Sequence, residues 1–234
     1  MLAIFKKEMK TYFSTPVGYV MMFFLMVFTG CYYVLSYDSG VADMSVVLSS
    51  IITIVFFIVP VLTMKLFADE KRVKTDQLLF TAPVSIPSVV LGKFLAVMAY
   101  FGIYLVVVII YNFLYYAFGG QPSLLIFLGN LFGFIFFTAS LVAIGIFISA
   151  LSENQGVSAI VSFSVSMFLI LLDFVPSLFG DNIFTKVVTW ISFTQRYSYF
   201  NQGIFDISNV VFFLSLTATF LFLTVRVIDK KRWS

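Results

Sequence analysis

The sequence is poor in charge, has a single cysteine and contains no histidine. Charged residues make up 11% of the 234 positions and hydrophobic residues 61%, whereas an ordinary soluble domain carries about 25% charged residues. Cys31 alone cannot form an intramolecular disulfide. The lack of histidine removes the commonest metal ligand and the usual general base near neutral pH. With a mean hydropathy of +1.07, the chain is expected to be a membrane protein without a metal or catalytic site.

Six apolar segments are long enough to cross a bilayer, which takes roughly 20 residues of helix. An uncharged tract from 94 to 152 is too long for one helix, and Gly119, Gly120 and Pro122 divide it. We therefore predict an all-α membrane protein, one transmembrane domain over 1–234. Its six spans are predicted at 17–36, 46–64, 94–118, 124–150, 156–172 and 210–225.

The basic residues indicate the orientation, because loops on the cytoplasmic side are enriched in Lys and Arg. Six spans with an inside N-terminus place all but two of the 14 basic residues inside. The exceptions are Lys186 and Arg196. Both termini are therefore predicted to be cytoplasmic, in a multi-pass protein of the cell (plasma or inner) membrane.

Residues 1–16 are predicted to form an amphipathic helix on the membrane surface. Lys6, Lys7 and Lys10 can meet anionic headgroups, while the apolar face rests on the bilayer. Pro16 marks the bend into the first span. A secretory signal peptide is a poorer interpretation, because the apolar run is too long and no small-x-small cleavage site follows.

The cytoplasmic loop at 65–91 is longer than a simple connection between helices needs. It carries mixed charges, then Leu78, Leu79 and Phe80, and then Pro83. We predict a short helix that ends before Pro83, with a charged face for a protein partner. The alternative is a solvated loop.

Residues 173–208 are rich in aromatic side chains and are broken by Pro176 and Gly180. The apolar pieces are too short to span. We predict an extracytoplasmic cap of re-entrant or interfacial helices between spans five and six.

Small residues in spans four and five have two interpretations. They allow backbones to pack closely, or they line a polar pathway; close packing is the commoner use. The residues are Gly129, Gly133, Gly145, Ser158, Ser162 and Ser166.

The residues that several kinds of function require are absent from the sequence. There is no GxxxxGK[ST] loop for a nucleotide phosphate. The predicted span centres carry no ionisable residue, which argues against an ion-coupled carrier. Asp38 and Asp181 faintly resemble an intramembrane aspartyl protease, but both fall in outer loops and cannot share one desolvated site.

Three stretches together resemble the permease subunits of ABC-2 type transporters, most closely the subgroup of gliding-motility and copper-enzyme-maturation permeases. The opening at 5–16 is similar to the family's Lys-Glu…Tyr-Phe-x-x-Pro start. The strongest match covers 62–72, Thr75 and 78–85, followed by 90–94, and 145–155 resembles the turn between spans four and five. Lys74 and Gln77 depart from the pattern, where a glycine and an acidic residue are frequent.

The resemblance implies an exporter built from two permease halves, expected to be a homodimer, with two cytoplasmic ABC ATPase subunits. ATP and Mg²⁺ would bind the ATPase, and this chain would bind no cofactor and catalyse no reaction. A coupling helix at 69–80 and the turn at 152–155 would contact the ATPase. The coupling residues are then Asp69, Glu70, Lys71, Arg72, Lys74, Thr75, Asp76, Gln77, Glu153, Asn154 and Gln155.

Two other functions stay open from the sequence. The chain could be a non-transporting membrane scaffold for a larger machine, or, against the lack of buried charge, an ion-coupled secondary transporter. Membrane lipid is an expected partner in every case, and nucleic acid is not.

Overall fold

The structure is a computed structural model that describes residues 1–39, 44–74, 85–118, 123–180 and 182–233. Within these ranges every regular element is an α-helix. In chain order the helices are α1 (Leu2–Ser14), α2 (Pro16–Asp38), α3 (Met44–Thr63), α4 (Ala68–Arg72), α5 (Ile86–Ala117), α6 (Leu124–Leu151), α7 (Gln155–Leu172), α8 (Val175–Phe179), α9 (Ile183–Ile191), α10 (Phe193–Asn201) and α11 (Ile207–Trp233).

The six predicted spans are confirmed as helices long and apolar enough to cross a membrane. They are α2, α3, α5, α6, α7 and α11. Helices α3 and α6 form the centre, since 61% and 67% of their most apolar windows are buried, against 17–22% for α2, α7 and α11. The outer spans expose large apolar side chains such as Phe23, Ile160 and Phe222, as expected where lipid is the solvent.

Local signals explain where the helices begin. Thr15 is extended and Pro16 opens α2, a position at which proline is favoured because its missing N–H needs no partner. Asn154 caps α7, its side chain accepting a hydrogen bond from the Gly156 N–H at 3.0 Å. Asn182 and Thr185 form a reciprocal capping box at the start of α9.

The third span corrects our boundary prediction. Helix α5 begins at Ile86, eight residues before the predicted start at 94. Ser85 is its extended N-cap and Pro87 lies in its first turn, where proline does not break a helix. Lys93 therefore lies inside a spanning helix and is 1% exposed, rather than in a solvated loop.

The predicted coupling helix is interrupted after its first turn. Helix α4 ends at Arg72, inside the predicted range 69–80. Lys74 follows with φ of +58°, a left-handed backbone that a non-glycine residue adopts at a cost. Thr75, Asp76 and Gln77 lie outside the described residues, so their coupling role stays a prediction.

The segment between the last two spans contains three short helices, α8, α9 and α10, each of five to nine residues. They are too short to cross a bilayer. Their position relative to the membrane surface stays a prediction. The last span, α11, begins at Ile207 and continues to Trp233, beyond the predicted 210–225.

The alternating direction of the spans gives the bundle two chemically different ends. We use "charged end" for the end with α1, α4, the start of α5 and the turn at 152–154. We use "cap end" for the end with α8, α9, α10 and the start of α11.

Candidate functional site

The candidate site is the charged end, where three segments far apart in sequence meet. Helix α1 packs against α2 and α5, and α4 lies against the α6–α7 turn. Between them lies a cavity of about 210 Å³ whose lining includes Lys7, Glu8, Asp69, Glu70 and Lys93.

Lys93 is the centre of an ion cluster. Its Nζ lies 2.9 Å from Glu8 Oε1 on α1 and 2.9 Å from Glu70 Oε1 on α4. Lys7 adds a second cation, with its Nζ 3.2 Å from Glu70 Oε1. Two carboxylates and two ammonium groups balance, so the cluster, formed by Lys7, Glu8, Glu70 and Lys93, has no formal net charge.

Burial strengthens the attraction between these charges and makes the loss of any one of them costly. The side chains of Lys93, Glu8 and Glu70 are 1%, 10% and 13% exposed. Lys93 also donates a hydrogen bond to the Leu66 carbonyl, and its Nζ lies 4.8 Å from the centroid of the Phe67 ring. A buried ion pair keeps its charges only while every partner remains, since removing one leaves an uncompensated charge. The cluster therefore ties α1, α4 and α5 to one another.

A second set of bonds ties α4 to the end of α6. Ser149 Oγ accepts from the backbone N–H groups of Phe67 and Ala68, at 3.1 and 3.2 Å, and donates to the Met64 carbonyl. Lys71 Nζ donates to the carbonyls of Ala150 and Ser152. These carbonyls belong to the last turn of α6, which has no helical partners for them and favours a cation.

Two tyrosines join helices at this end: Tyr12 joins α1 to α3, and Tyr100 joins α5 to α2. Tyr12 donates a hydrogen bond to the Leu62 carbonyl at 3.0 Å, and Tyr100 donates to the Gly18 carbonyl at 2.7 Å. Burial, followed by the charge of Glu8, raises the pKa of Tyr12, so its phenol remains a neutral donor. Helix α1 is thus part of the bundle and not only a surface anchor.

The predicted coupling residues divide into inward-facing and outward-facing groups. Glu70 is held in the ion cluster and Lys71 bonds to α6. Arg72 and Asp69 are 60% and 33% exposed and pair with each other at 3.4 Å.

The structure brings the two predicted contact segments together. Lys74, Glu153 and Asn154 are exposed and Gln155 is half-buried. They lie on either side of the Lys71–Ser152 contact, as two adjoining segments of one surface.

The predicted membrane anchors are also on this end. Lys6, Lys7 and Lys10 are exposed on α1, and Lys7 reaches Glu70 as well. Contact of these lysines with lipid headgroups stays a prediction.

The small residues of α6 lie where helices approach closely. A Cβ atom at Gly145 would come within 2.3 Å of Thr63 Oγ1, and one at Gly133 within 2.6 Å of the Phe200 Cβ. Gly129 faces the Phe200 carbonyl in the same way. These approaches favour the packing interpretation.

The serines of α7 are buried at one face of that helix. Ser158, Ser162 and Ser166 are 0%, 3% and 8% exposed, and the Oγ atoms of Ser158 and Ser162 are buried without a hydrogen-bond partner. A polar pathway along this face stays a prediction.

Sequence reasoning missed three important residues. No contact was assigned to Glu8, Lys93 or Ser149 from the sequence. The signal for Lys93 was the Ser-x-Pro start of α5, which allows a helix to include it. The pairing of Glu8 with Lys93 spans 85 positions, and no local pattern predicts it.

The chain was also compared with known proteins. The sequence model of the ABC-2 type transporter family matches residues 1–175. The match includes all the segments that meet at the charged end, and it ends where the cap begins. No curated protein was found to match this chain.

Proposed function

Because the chain belongs to the ABC-2 type transporter family, as a multi-pass membrane component that works with an ABC ATPase, we propose that it is the permease subunit of an ATP-driven exporter. In this proposal, α4 is the coupling helix, and movement of the ATPase on ATP binding is passed through it to the spans.

The observation that supports coupling best is the double attachment of α4. Glu70 and Lys93 link it to α1 and α5, while Ser149 and Lys71 link it to α6. A five-residue helix is too short to be stable alone. Held at both faces, it is displaced only together with the spans, so a force on its exposed side reaches the pathway.

The exposed side of the charged end is proposed as the ATPase contact. Arg72, Asp69 and Lys74, with Glu153 and Asn154 across the turn, present both signs of charge. ATP and Mg²⁺ would bind in the partner, and this chain would not be an enzyme. The absence of a phosphate-binding loop from the sequence supports that division.

We further propose that two copies of the chain form the pathway between them, with one ATPase subunit under each. Only 17% of the apolar window of α7 and 22% of that of α2 are buried within one copy. These faces are available to a second permease half as well as to lipid.

The charged end is proposed to face the cytoplasm of a cell that carries the protein in its plasma membrane. Single cysteines placed at Val73 and Ile183, in a Cys31→Ser background, test this orientation. An impermeant maleimide applied to intact cells is expected to label Ile183→Cys and to leave Val73→Cys unlabelled until the membrane is opened. Labelling of Val73→Cys from outside would end the coupling proposal.

Co-purification with candidate ATPases tests the contact surface. The double variant Asp69→Ala, Arg72→Ala is expected to lose ATPase association, whereas Lys186→Ala at the cap end retains it. Vesicles that contain the complex then separate an exporter from a scaffold, since only an exporter moves substrate when ATP is added. Unchanged association and turnover in the double variant would contradict the assigned surface.

A further inference from the structure

A small polar cavity lies at the cap end, where α9 and α10 meet the start of α11. Its volume is about 180 Å³, and its lining includes Trp190, Arg196, Tyr199, Asp206, Ser208 and Asn209. Apolar side chains next in sequence to these lining residues are exposed, with Phe205 and Ile207 50% and 78% exposed. A cavity lined by polar groups in such a surface calls for an explanation other than packing.

Arg196 is a fixed, buried cation in this cavity. It is 6% exposed; its Nε donates to the Trp190 carbonyl at 2.7 Å and its Nη1 to Asn209 Oδ1 at 2.9 Å. The guanidinium carbon lies 4.2 Å from the Phe212 ring centroid and 5.1 Å from that of Trp190. These bonds use two of the five N–H donors of arginine, and a held guanidinium binds an oxyanion strongly.

Asn209 supplies an unpartnered donor beside it. Asn209 is 3% exposed, and its Nδ2 is buried without a hydrogen-bond partner. Arginine can only donate, so the oxygen of the Asn209 amide must face Arg196 and the nitrogen must face away. A buried donor without an acceptor is costly, and an oxyanion in the cavity would satisfy it.

Asp206 gives the cavity an opposite pole. Asp206 is one of the residues that line the cavity, and its Oδ1 accepts from the Ser208 N–H at 2.9 Å. Burial lowers the pKa of Arg196, and the charge of Asp206 opposes that effect. The hydrogen bonds described for Arg196 do not go to Asp206. The cavity is therefore neutral overall but dipolar, which disfavours a simple anion and favours a ligand with both charges.

We propose that this cavity binds a zwitterion composed of an oxyanion and a primary ammonium group. The oxyanion contacts Arg196 and Asn209 Nδ2, and the ammonium group contacts Asp206. Ethanolamine phospholipid headgroups and free phosphoethanolamine share this chemistry. Trp190 and Tyr199, 73% and 47% exposed, are residue types that gather at the level of lipid headgroups, which favours the lipid as the source.

A quaternary ammonium fits the cavity less well. It has no N–H to donate to the Asp206 carboxylate or to the hydroxyls of Tyr199 and Ser208. Such a group is usually held by the faces of aromatic rings, and Arg196 already lies against the Trp190 ring. The proposed site therefore selects ethanolamine over choline.

The fluorescence of Trp190 can report binding, because the chain has two tryptophans, Trp190 and Trp233, and the second can be replaced. In a Trp233→Phe background, the fluorescence of the purified full chain in micelles is recorded against free phosphoethanolamine, phosphocholine and inorganic phosphate. The same protein is then placed in lipid nanodiscs with increasing fractions of ethanolamine, choline or glycerol phospholipid. A saturable change is expected with ethanolamine compounds only. Saturation by the free compound in micelles indicates a soluble ligand, and saturation in nanodiscs alone indicates a lipid headgroup.

Variants test the two poles separately. Asn209→Leu removes the Nδ2 donor together with the oxygen that accepts from Arg196 Nη1, and Asp206→Asn removes the charge while it keeps a residue able to cap α11. Each is expected to weaken binding about tenfold or more, since a hydrogen bond to a charged group is lost. Lys186→Gln, an exposed charge on α9 outside the cavity, is the matched control and should bind as the parent does.

Three results with the ligands, and one with the variants, would overturn the proposal. The ligand results are a fluorescence that does not saturate with either ethanolamine compound, equal responses to choline and ethanolamine compounds, and binding of inorganic phosphate that Asp206→Asn leaves unchanged. Binding by Asn209→Leu and Asp206→Asn at parental strength would overturn it as well. No ATPase is needed for the measurement, so its outcome is independent of the transport proposal.

Discussion

The two ends of the bundle are held together by different forces. At the charged end, ion pairs and hydrogen bonds join α1, α4, α5 and α6 through Glu8, Glu70, Lys93 and Ser149. Where α10 of the cap end packs on α6, aromatic rings make many of the contacts, and Arg196 is a buried cation nearby. Phe137 alone has ring contacts with Phe56, Phe193, Tyr197 and Phe213 at centroid distances of 5.2–6.1 Å.

This difference shows how each end responds to displacement. Aromatic contacts are short-ranged and add up from many small terms, so the aromatic region around Phe137 can lose one and repack. A buried charge has no substitute once its partner leaves. The charged end is therefore suited to move as one unit, and the aromatic region to adjust locally.

The largest effect is expected from Lys93→Met, which breaks the charged end at its centre. Glu8 would remain buried without a cation and Glu70 with only the exposed Lys7, at a cost of about 3–5 kcal/mol. Thermal unfolding of the purified protein should show the loss, and stimulation of the ATPase should fall with it. The triple variant Lys93→Met, Glu8→Gln, Glu70→Gln should regain most of the stability but not the stimulation. Equal stability of Lys93→Met and the parent would contradict the cluster.

Ser149→Ala should have the second largest effect, because it removes the acceptor for two buried N–H groups, those of Phe67 and Ala68. The expected loss is about 2–3 kcal/mol. Ser140→Ala is the matched control on the same helix, since that hydroxyl is buried and bonds only within α6 at Phe137. Equal unfolding temperatures of Ser149→Ala and Ser140→Ala would contradict the prediction.

Phe137→Leu tests the aromatic region. The side chain is buried at 0% exposure, and the loss of its ring contacts is expected to cost about 1–2 kcal/mol. In contrast to Lys93→Met, stimulation of the ATPase at a permissive temperature should be retained. A variant that loses stimulation of the ATPase while it keeps most of its stability would place coupling in the aromatic region instead.

Lys74→Gly is expected to have the smallest effect and the opposite sign. Its φ of +58° suits glycine, so relief of strain should stabilise the protein by about 1 kcal/mol. Lys74→Ala separates strain from the loss of charge, because alanine retains the strain. A gain in unfolding temperature for alanine equal to that for glycine would refute the explanation.

Much of this architecture could be predicted from the sequence because bilayer thickness fixes the length of a span. Hydropathy was therefore sufficient to predict the six spans. The start of α5 was harder to predict, since its first turn, with Pro87, lies within the cytoplasmic loop predicted at 65–91.

The candidate site was only half predictable. Charges and similarity to the family pointed to α4 and the α6–α7 turn. They did not show that Glu70 turns inward to Lys93, because that pairing depends on the packing of α1 against α5. The glycine frequent at position 74 in the family is explained by the backbone of Lys74, which the sequence alone did not show.

The central claim is that α1 and α4 move together when the ATPase acts. Spin labels are placed at Lys10→Cys and Val73→Cys, both exposed positions, in a Cys31→Ser background. The distance between the two labels is then measured in complexes in which only one permease half is labelled. The account predicts the same distance without nucleotide and with trapped ATP, and a change in distance once Lys93→Met is added. A distance that shifts with ATP in the parent complex, or that Lys93→Met leaves unaffected, would contradict it.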